Sequence, residues 1–366
     1  MHPAISVVMA VYNEEVSLTQ AIESILQQTY QNFEIIIVDD NSNDNSTNII
    51  AAYAKNDTRI TVIHNEINMG LAESLNIGIQ HTKAEWIARM DGDDISLPQR
   101  FEKQMAYLQA HPDIDVLSTA LIDMTPENEP FGKRSIPEQH NQLAWRTLWA
   151  SPAFHGTIMM RKNKFLQSGG YKKGEILEDV ELWSRMMQYA RFAALPDYLY
   201  QYHRTRNEFD KIQDERKEAT IKICQNFVSQ VLDRPILPEE YLLLRQSVNI
   251  RPQATLSEEQ IINTISMLQD IYFAMVHKGI LDENDGIKDV QEDLTRRIIN
   301  LSLQSNNFIY QHGKYILQRI SYDSLVKNYW ERSHLGILKW PFFALLNPGV
   351  ARRAIISRQG KKKNAL

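Results

Sequence analysis

Acidic residues gather where short apolar runs stop. WIARM breaks off into Asp91, Gly92, Asp93 and Asp94, and IIIV into Asp39, Asp40, Asn41 and Ser42. The run Ile5 to Val11 is followed by Tyr12, Asn13 and Glu14. Clustered carboxylates repel one another unless something positive joins them, and the hard oxygens of an Asp-x-Asp turn suit Mg2+ or Mn2+ bridging a diphosphate. An acidic turn alone is as readily a solvated loop or a helix cap. Its place at a strand end is what favours the metal reading for Asp91 and Asp93. Glu178 and Asp179 begin a helix whose Leu182, Trp183, Met186 and Met187 form an apolar face. The helix dipole favours acids there, and the same placement aims a carboxylate into a cleft.

These groups must be positioned by the elements around them. Ile5 to Val11, Phe33 to Val38, Ile60 to Ile63 and Trp86 to Met90 are of strand length. Between them, Ala21, Ile22, Ile25 and Leu26, then Ile49, Ile50 and Tyr53, then Leu71, Leu75 and Ile79 fall at helical spacing. Strands alternating with helices need crossovers, so an α/β fold is predicted, with a mostly parallel sheet covered on both faces. Ligands then bind outside the carboxyl ends of the strands, where the acidic loops lie. Val116 to Met124 and Gly156 to Met160 read as further strands, and Val180 to Tyr189 as a helix. No Gly-x-Gly-x-x-Gly follows the first strand and no phosphate-binding GxxxxGK[ST] occurs, so neither a dinucleotide fold nor a P-loop is indicated.

The 366 residues suggest about two domains. A net charge of −5 argues against nucleic-acid binding through bulk positive charge. The single cysteine, Cys224, cannot form an internal disulfide, which fits a reducing compartment. The N-terminal apolar run lacks a basic leader and reads as a strand, and no apolar stretch is long enough to span a bilayer. From Asp210 to about Tyr329 the chain is charged, helical in period and poor in glycine. Residues 332–366 hold eight Lys and Arg and no acid, interleaved with Trp340, Phe342, Phe343 and several leucines. That mixture suits a peripheral anchor on an anionic membrane surface, and equally a packed terminal helix with a solvated basic end.

VVMAVYNEE, IIIVDDNSNDNS, NMGLAESLNIGI, ARMDGDD, SPAFHGTIMMRK and LEDVELWSRM, in this order, resemble the inverting family 2 glycosyltransferases of GT-A fold. The resemblance covers about residues 4–205. It implies a GT-A domain over 1–205, leaving a helical region over 206–331 and the tail over 332–366. It further implies a nucleoside diphosphate sugar donor, most often a UDP-sugar, and Mn2+ or Mg2+ as cofactor. Ala10, Tyr12 and Glu14 would hold base and ribose, with Tyr12 stacking on uracil and Asp40, beside Asp39, bonding the uracil N3 proton. Gly70 and Asn76 would line the donor site, although Leu75 stands where many members have arginine. Asp91 would contact ribose or sugar and share the metal with Asp93, and His203 falls near a histidine that helps hold metal or diphosphate. Arg204 and Arg206, which follow it, offer a clamp for the diphosphate. Asp179 matches the catalytic aspartate, the base that deprotonates the acceptor hydroxyl. His155, Glu178 and Trp183 would lie on the acceptor side.

The family's polymerases carry a QxxRW motif and membrane spans. No Arg-Trp pair occurs here, so single-sugar addition to a glycan or lipid-linked acceptor is expected, at the cytoplasmic side of a membrane in bacterial surface-polysaccharide synthesis. Two rivals are a sugar nucleotidyltransferase, which needs a basic glycine-rich loop after strand one, and a non-catalytic nucleotide-sugar-binding protein.

Overall fold

A computed structural model describes residues 2–204, 212–247, 256–284 and 286–302. Thr205, Arg206 and the basic tail over 332–366 lie outside the described residues. The chain divides into two compact units, Met1–Asp233 with Val276–Asp285, and Arg234–Met275 with Gly286–Leu366.

The described strands of the first unit are β1 (Ile5–Val11), β2 (Phe33–Asp39), β3 (Ile60–His64), β4 (Trp86–Asp91), β5 (Ile95–Ser96), β6 (Val116–Met124), β7 (Pro130–Arg134), β8 (Met159–Arg161) and β9 (Phe192–His203). They form one sheet in the order β3-β2-β1-β4-β8-β6-β9-β5, with β7 paired to β6. Its helices are α1 (Leu18–Leu26), α2 (Ser46–Asn56), α3 (Leu71–Gln80), α4 (Arg100–Ala110), α5 (His140–Arg146), α6 (Lys162–Ser168), α7 (Glu178–Met186) and α8 (Ile212–Val231).

The alternation read from the first hundred residues is present as the parallel block β3-β2-β1-β4. β1 and β2 are buried along their whole length, as parallel strands covered on both faces must be, and so carry apolar residues at almost every position. α1 packs through Leu18, Ala21, Ile22 and Ile25, one face of a 3.6-residue period. α3 comes close to β1 through Gly78, where a Cβ would lie 2.7 Å from Val8 Cγ1. Each fully buried Ile or Leu of this core contributes about 2 kcal/mol.

The second half of the sheet is mixed. β8 runs antiparallel to β4 and β6, β7 antiparallel to β6, and β9 parallel to β6. The strand predicted over Gly156 to Met160 is shorter and later, because His155–Thr157 winds into a 3-10 turn before β8 starts at Met159. α7 begins at Glu178, where the acidic pair was read to open it, and stops at Met186, three residues short of the Tyr189 end read from the sequence.

The second unit is helical where described: α9 (Pro238–Gln246), most of α10 (Glu258–His277) and α11 (Ile287–Ser302). Tyr241, Leu244, Ile261, Ile265, Leu268, Ile271, Leu294 and Ile298 are buried in it.

Candidate functional site

The parallel register sets the acidic loops side by side. Ala10 lies opposite Asp91, Val11 opposite Asp39, and Asp39 opposite His64, so the carboxyl ends of four strands share one edge. Asp91, Asp93 and Asp94 each place a carboxylate oxygen within 4.8 Å of the others. Gly92, in the turn between them, leaves room for Glu14 Oε2, which occupies the place where a Cβ at position 92 would stand. Glu14 is thereby pressed into the acidic turn, and its Oε2 is buried without a hydrogen-bond partner. Burial, then the charge of Asp93, pushes the Glu14 carboxyl up to about 8. Burial raises Asp93 and Asp94 as well, and for Asp94 the charge of Asp93 adds to it.

β5, directly after this turn, pairs with Tyr200 and Gln201 and so delivers the end of β9 to the same place. The His203 N–H donates to Asp94 Oδ1 at 2.7 Å, and its Nε2 lies 2.7 Å from Asn128 Oδ1. Its Nδ1 has no hydrogen-bond partner, and burial holds the ring below its ordinary value. The Tyr200 hydroxyl accepts from the Asp91 N–H at 3.4 Å and donates to Asp91 Oδ2 at 3.5 Å. The convergent carboxylates of Asp91, Asp93 and Asp94, with unpartnered Glu14 Oε2 beside them, are a donor set that suits a hard divalent cation; His203 Nδ1 lies 3.9 Å from Asp94 Oδ1.

The loops after β1 and β2 are laced together. The Asn13 N–H donates to Ser42 Oγ at 3.1 Å, the Glu14 N–H to Ser46 Oγ at 2.9 Å, and the Asn43 N–H to Asn13 Oδ1 at 2.7 Å. Asn13 and Asn41 take φ of 56° and 62°, a conformation asparagine tolerates. Tyr12 stands half-exposed at this rim. Asp39 accepts from Ser42 N–H and the Thr47 hydroxyl, which hold its carboxyl low despite burial. Asp40 accepts from the Met69 and Gly70 N–H groups, each at 2.8 Å, and from Asn65 Nδ2 at 2.7 Å. Gly70, with φ of 85°, lets both amides converge on that carboxylate at the start of α3. Asn76, on α3, clamps Tyr171: its Nδ2 donates to the Tyr171 carbonyl and its Oδ1 accepts the Tyr171 N–H, both at 2.9 Å.

Tyr171 leads to a second group. Its hydroxyl lies 2.8 Å from His155 Nε2, and His155 Nδ1 lies 3.4 Å from Glu178 Oε1. His155, Glu178 and Asp179 again bring ligand atoms within 4.8 Å of one another. Trp183, one turn beyond Asp179, sets its ring edge-on to His155 at 6.2 Å. Burial lowers His155 and raises Asp179, while the His155 ring holds Glu178 down against its burial. The structure therefore gathers all three predicted acceptor-side residues around Asp179.

Sequence reading missed Arg89, Tyr171 and Tyr200. Arg89 is buried on β4, pairs with Asp91, and its charge bears on both acidic groups. The available signal was a lone arginine in an apolar strand, two residues before Asp91 and hence on the same face.

A family model described as glycosyl transferase family 2 matches residues 6–168. The putative glycosyltransferase EpsE of Bacillus subtilis (strain 168) is 38% identical over 196 residues, 51% of this chain and 67% of that protein. The amylovoran biosynthesis glycosyltransferase AmsE of Erwinia amylovora is 34% identical over 197 residues, 53% of this chain and 74% of that protein. Among solved structures, S. aureus TarS 1-349 in complex with UDP-GlcNAc aligns over 86% of this chain and 92% of its own, with a TM-score of 0.52 and 18% identity, a likeness of fold.

Proposed function

This chain belongs to glycosyl transferase family 2, and on that footing we propose that it moves one sugar from a UDP-sugar to a hydroxyl of a glycan or lipid-linked acceptor, with inversion, in surface-polysaccharide synthesis. The observation that carries the reading is the gathering of Asp91–Asp93–Asp94 and His155–Glu178–Asp179, each a convergent acidic group, at the same end of the antiparallel pairing of β4 with β8, where β4 finishes and the chain from His155 enters β8. The bound UDP-GlcNAc of TarS supports a uridine donor, and the amylovoran role of AmsE supports a glycan product.

Asp91 and Asp93, with His203, would hold Mn2+ or Mg2+, which supplies positive charge to offset the departing diphosphate. Tyr12 and the laced loops after β1 and β2 would receive the nucleoside. Asp40, which also orders the start of α3, would present its remaining acceptor capacity to the base, with Gly70 bonded to it; Asn76, held on the Tyr171 backbone, would support the donor side through that loop. Asp179, raised by burial and steadied by His155, takes the proton of the acceptor hydroxyl as its oxygen attacks the anomeric carbon. The bond to the diphosphate breaks on the opposite face, and the configuration inverts. Glu178 keeps its charge through His155 and so holds the imidazole in place. No helix among the described residues is long and apolar enough to cross a membrane. The aromatic, basic tail would bring the enzyme to an anionic membrane surface.

The test is transfer from UDP-sugars with Mn2+, comparing wild type with Asp179→Asn. The variant is expected to lose about 100-fold or more in kcat while still binding UDP. Wild-type turnover by the variant rules Asp179 out as the base.

A further inference from the structure

Arg89 is 4% exposed, in the middle of a strand whose neighbours Ile87, Ala88 and Met90 are apolar and buried. Its backbone is fixed on both sides: the N–H donates to the Ile158 carbonyl at 3.2 Å, and the carbonyl accepts from Arg100 Nη2 at 3.0 Å. The first of these bonds ties it to the chain three residues after His155. Its guanidinium pairs with Asp91, and its Nε, also buried, has no hydrogen-bond partner. A guanidinium does not lose its proton, so this is a permanent charge held where burial alone would exclude one. That charge acts on Glu14, Asp93 and Asp94, and equally on His155, Tyr171, Glu178 and Asp179.

We propose that Arg89 is a positioning residue for the transfer: a fixed, buried positive charge that holds Asp91 in place and offsets the negative charge of both acidic groups at once. This rests on the donor and base assignments above. A side chain needed only for packing would serve as well without charge; one needed for its charge would not. The groups facing Asp179 are Glu178 on its own helix, His155 on the 3-10 turn, Tyr171 on the preceding loop and Arg89 on β4. Without Arg89, the base keeps its proton to higher pH.

The experiment compares wild type, Arg89→Met and Arg89→Lys in Mn2+-dependent transfer from a UDP-sugar, with kcat followed against pH. Arg89→Met, which keeps the length of the side chain, is expected to lose about ten-fold in kcat at neutral pH, and its acid limb is expected to move up by about one unit. Arg89→Lys is expected to restore the limb while raising the Mn2+ concentration for half-activation, because the shorter ammonium side chain cannot reproduce the Arg89 Nη1 contact that places Asp91. An acid limb unmoved in Arg89→Met, or equal impairment of both variants with unmoved limbs, overturns the proposal. Should Arg89→Met fail to fold, Arg89→Lys decides alone, and wild-type Mn2+ dependence in it is the contrary result. A wild-type protein that neither transfers nor binds UDP overturns the donor reading itself, a different outcome from an active wild type with an indifferent Arg89.

Discussion

Glu14 shows how single residues at this edge are set against one another. Its carboxyl is pushed from 4.5 to about 8 in the folded protein, so the fold retains a proton that the unfolded chain has released. The stability it lends is complete below about 4.5 and is lost as pH rises through about 8. Asp93, Asp94 and Asp179 are raised as well and act in the same direction. Metal-free protein is therefore expected to melt at a lower temperature at pH 8 than at pH 5.5, and Glu14→Gln to remove part of that difference. Thermal melts in chelator check this; a variant with the wild-type slope contradicts it. At this scale the sequence was legible where a carboxylate ends a strand, as at Asp91 and Asp93. It was silent where partners meet from distant segments, as when His155 meets both Tyr171 and Glu178. Spacing carries no trace of such an encounter.

Elements differ in how openly they declare themselves. β1, β2 and β4 are continuous apolar runs because both of their faces are covered, and they were readable as such. β9 was not, because Pro196 interrupts it and its middle alternates irregularly between buried and exposed; only its pairing with β6 and β5 makes it a strand. β7, with Pro130 and Gly132 and mostly exposed side chains, is likewise defined by its partner. The same dependence on partners ties α3 to the loop before α7 through Asn76. Asn76→Ala leaves the buried Tyr171 N–H and carbonyl without their shared partner and is expected to cost about 1–3 kcal/mol. The urea midpoint measures this, and an unchanged midpoint would show that the clamp is dispensable. Transfer should fall too, since Tyr171 orients His155.

Across the whole chain, the segment matched to family 2 holds the first unit's parallel block, the Asp91–Asp93–Asp94 group and His155, while Glu178 and Asp179 follow it in the same unit. The tail over 332–366 is a matter of sequence alone, +8 in formal charge with interleaved aromatics. Its deletion is expected to release the protein from vesicles containing anionic lipid; equal sedimentation of both forms removes the membrane assignment. Everything at the carboxyl edge turns on a divalent cation and a pyrophosphate coming to rest among Glu14, Asp91, Asp93 and His203. Electron paramagnetic resonance of free Mn2+ tests that directly, titrating wild type and Asp93→Asn in the presence of UDP. Saturable uptake of Mn2+ by wild type, weakened ten-fold or more in Asp93→Asn, is the predicted result; identical titration curves for the two proteins would contradict it.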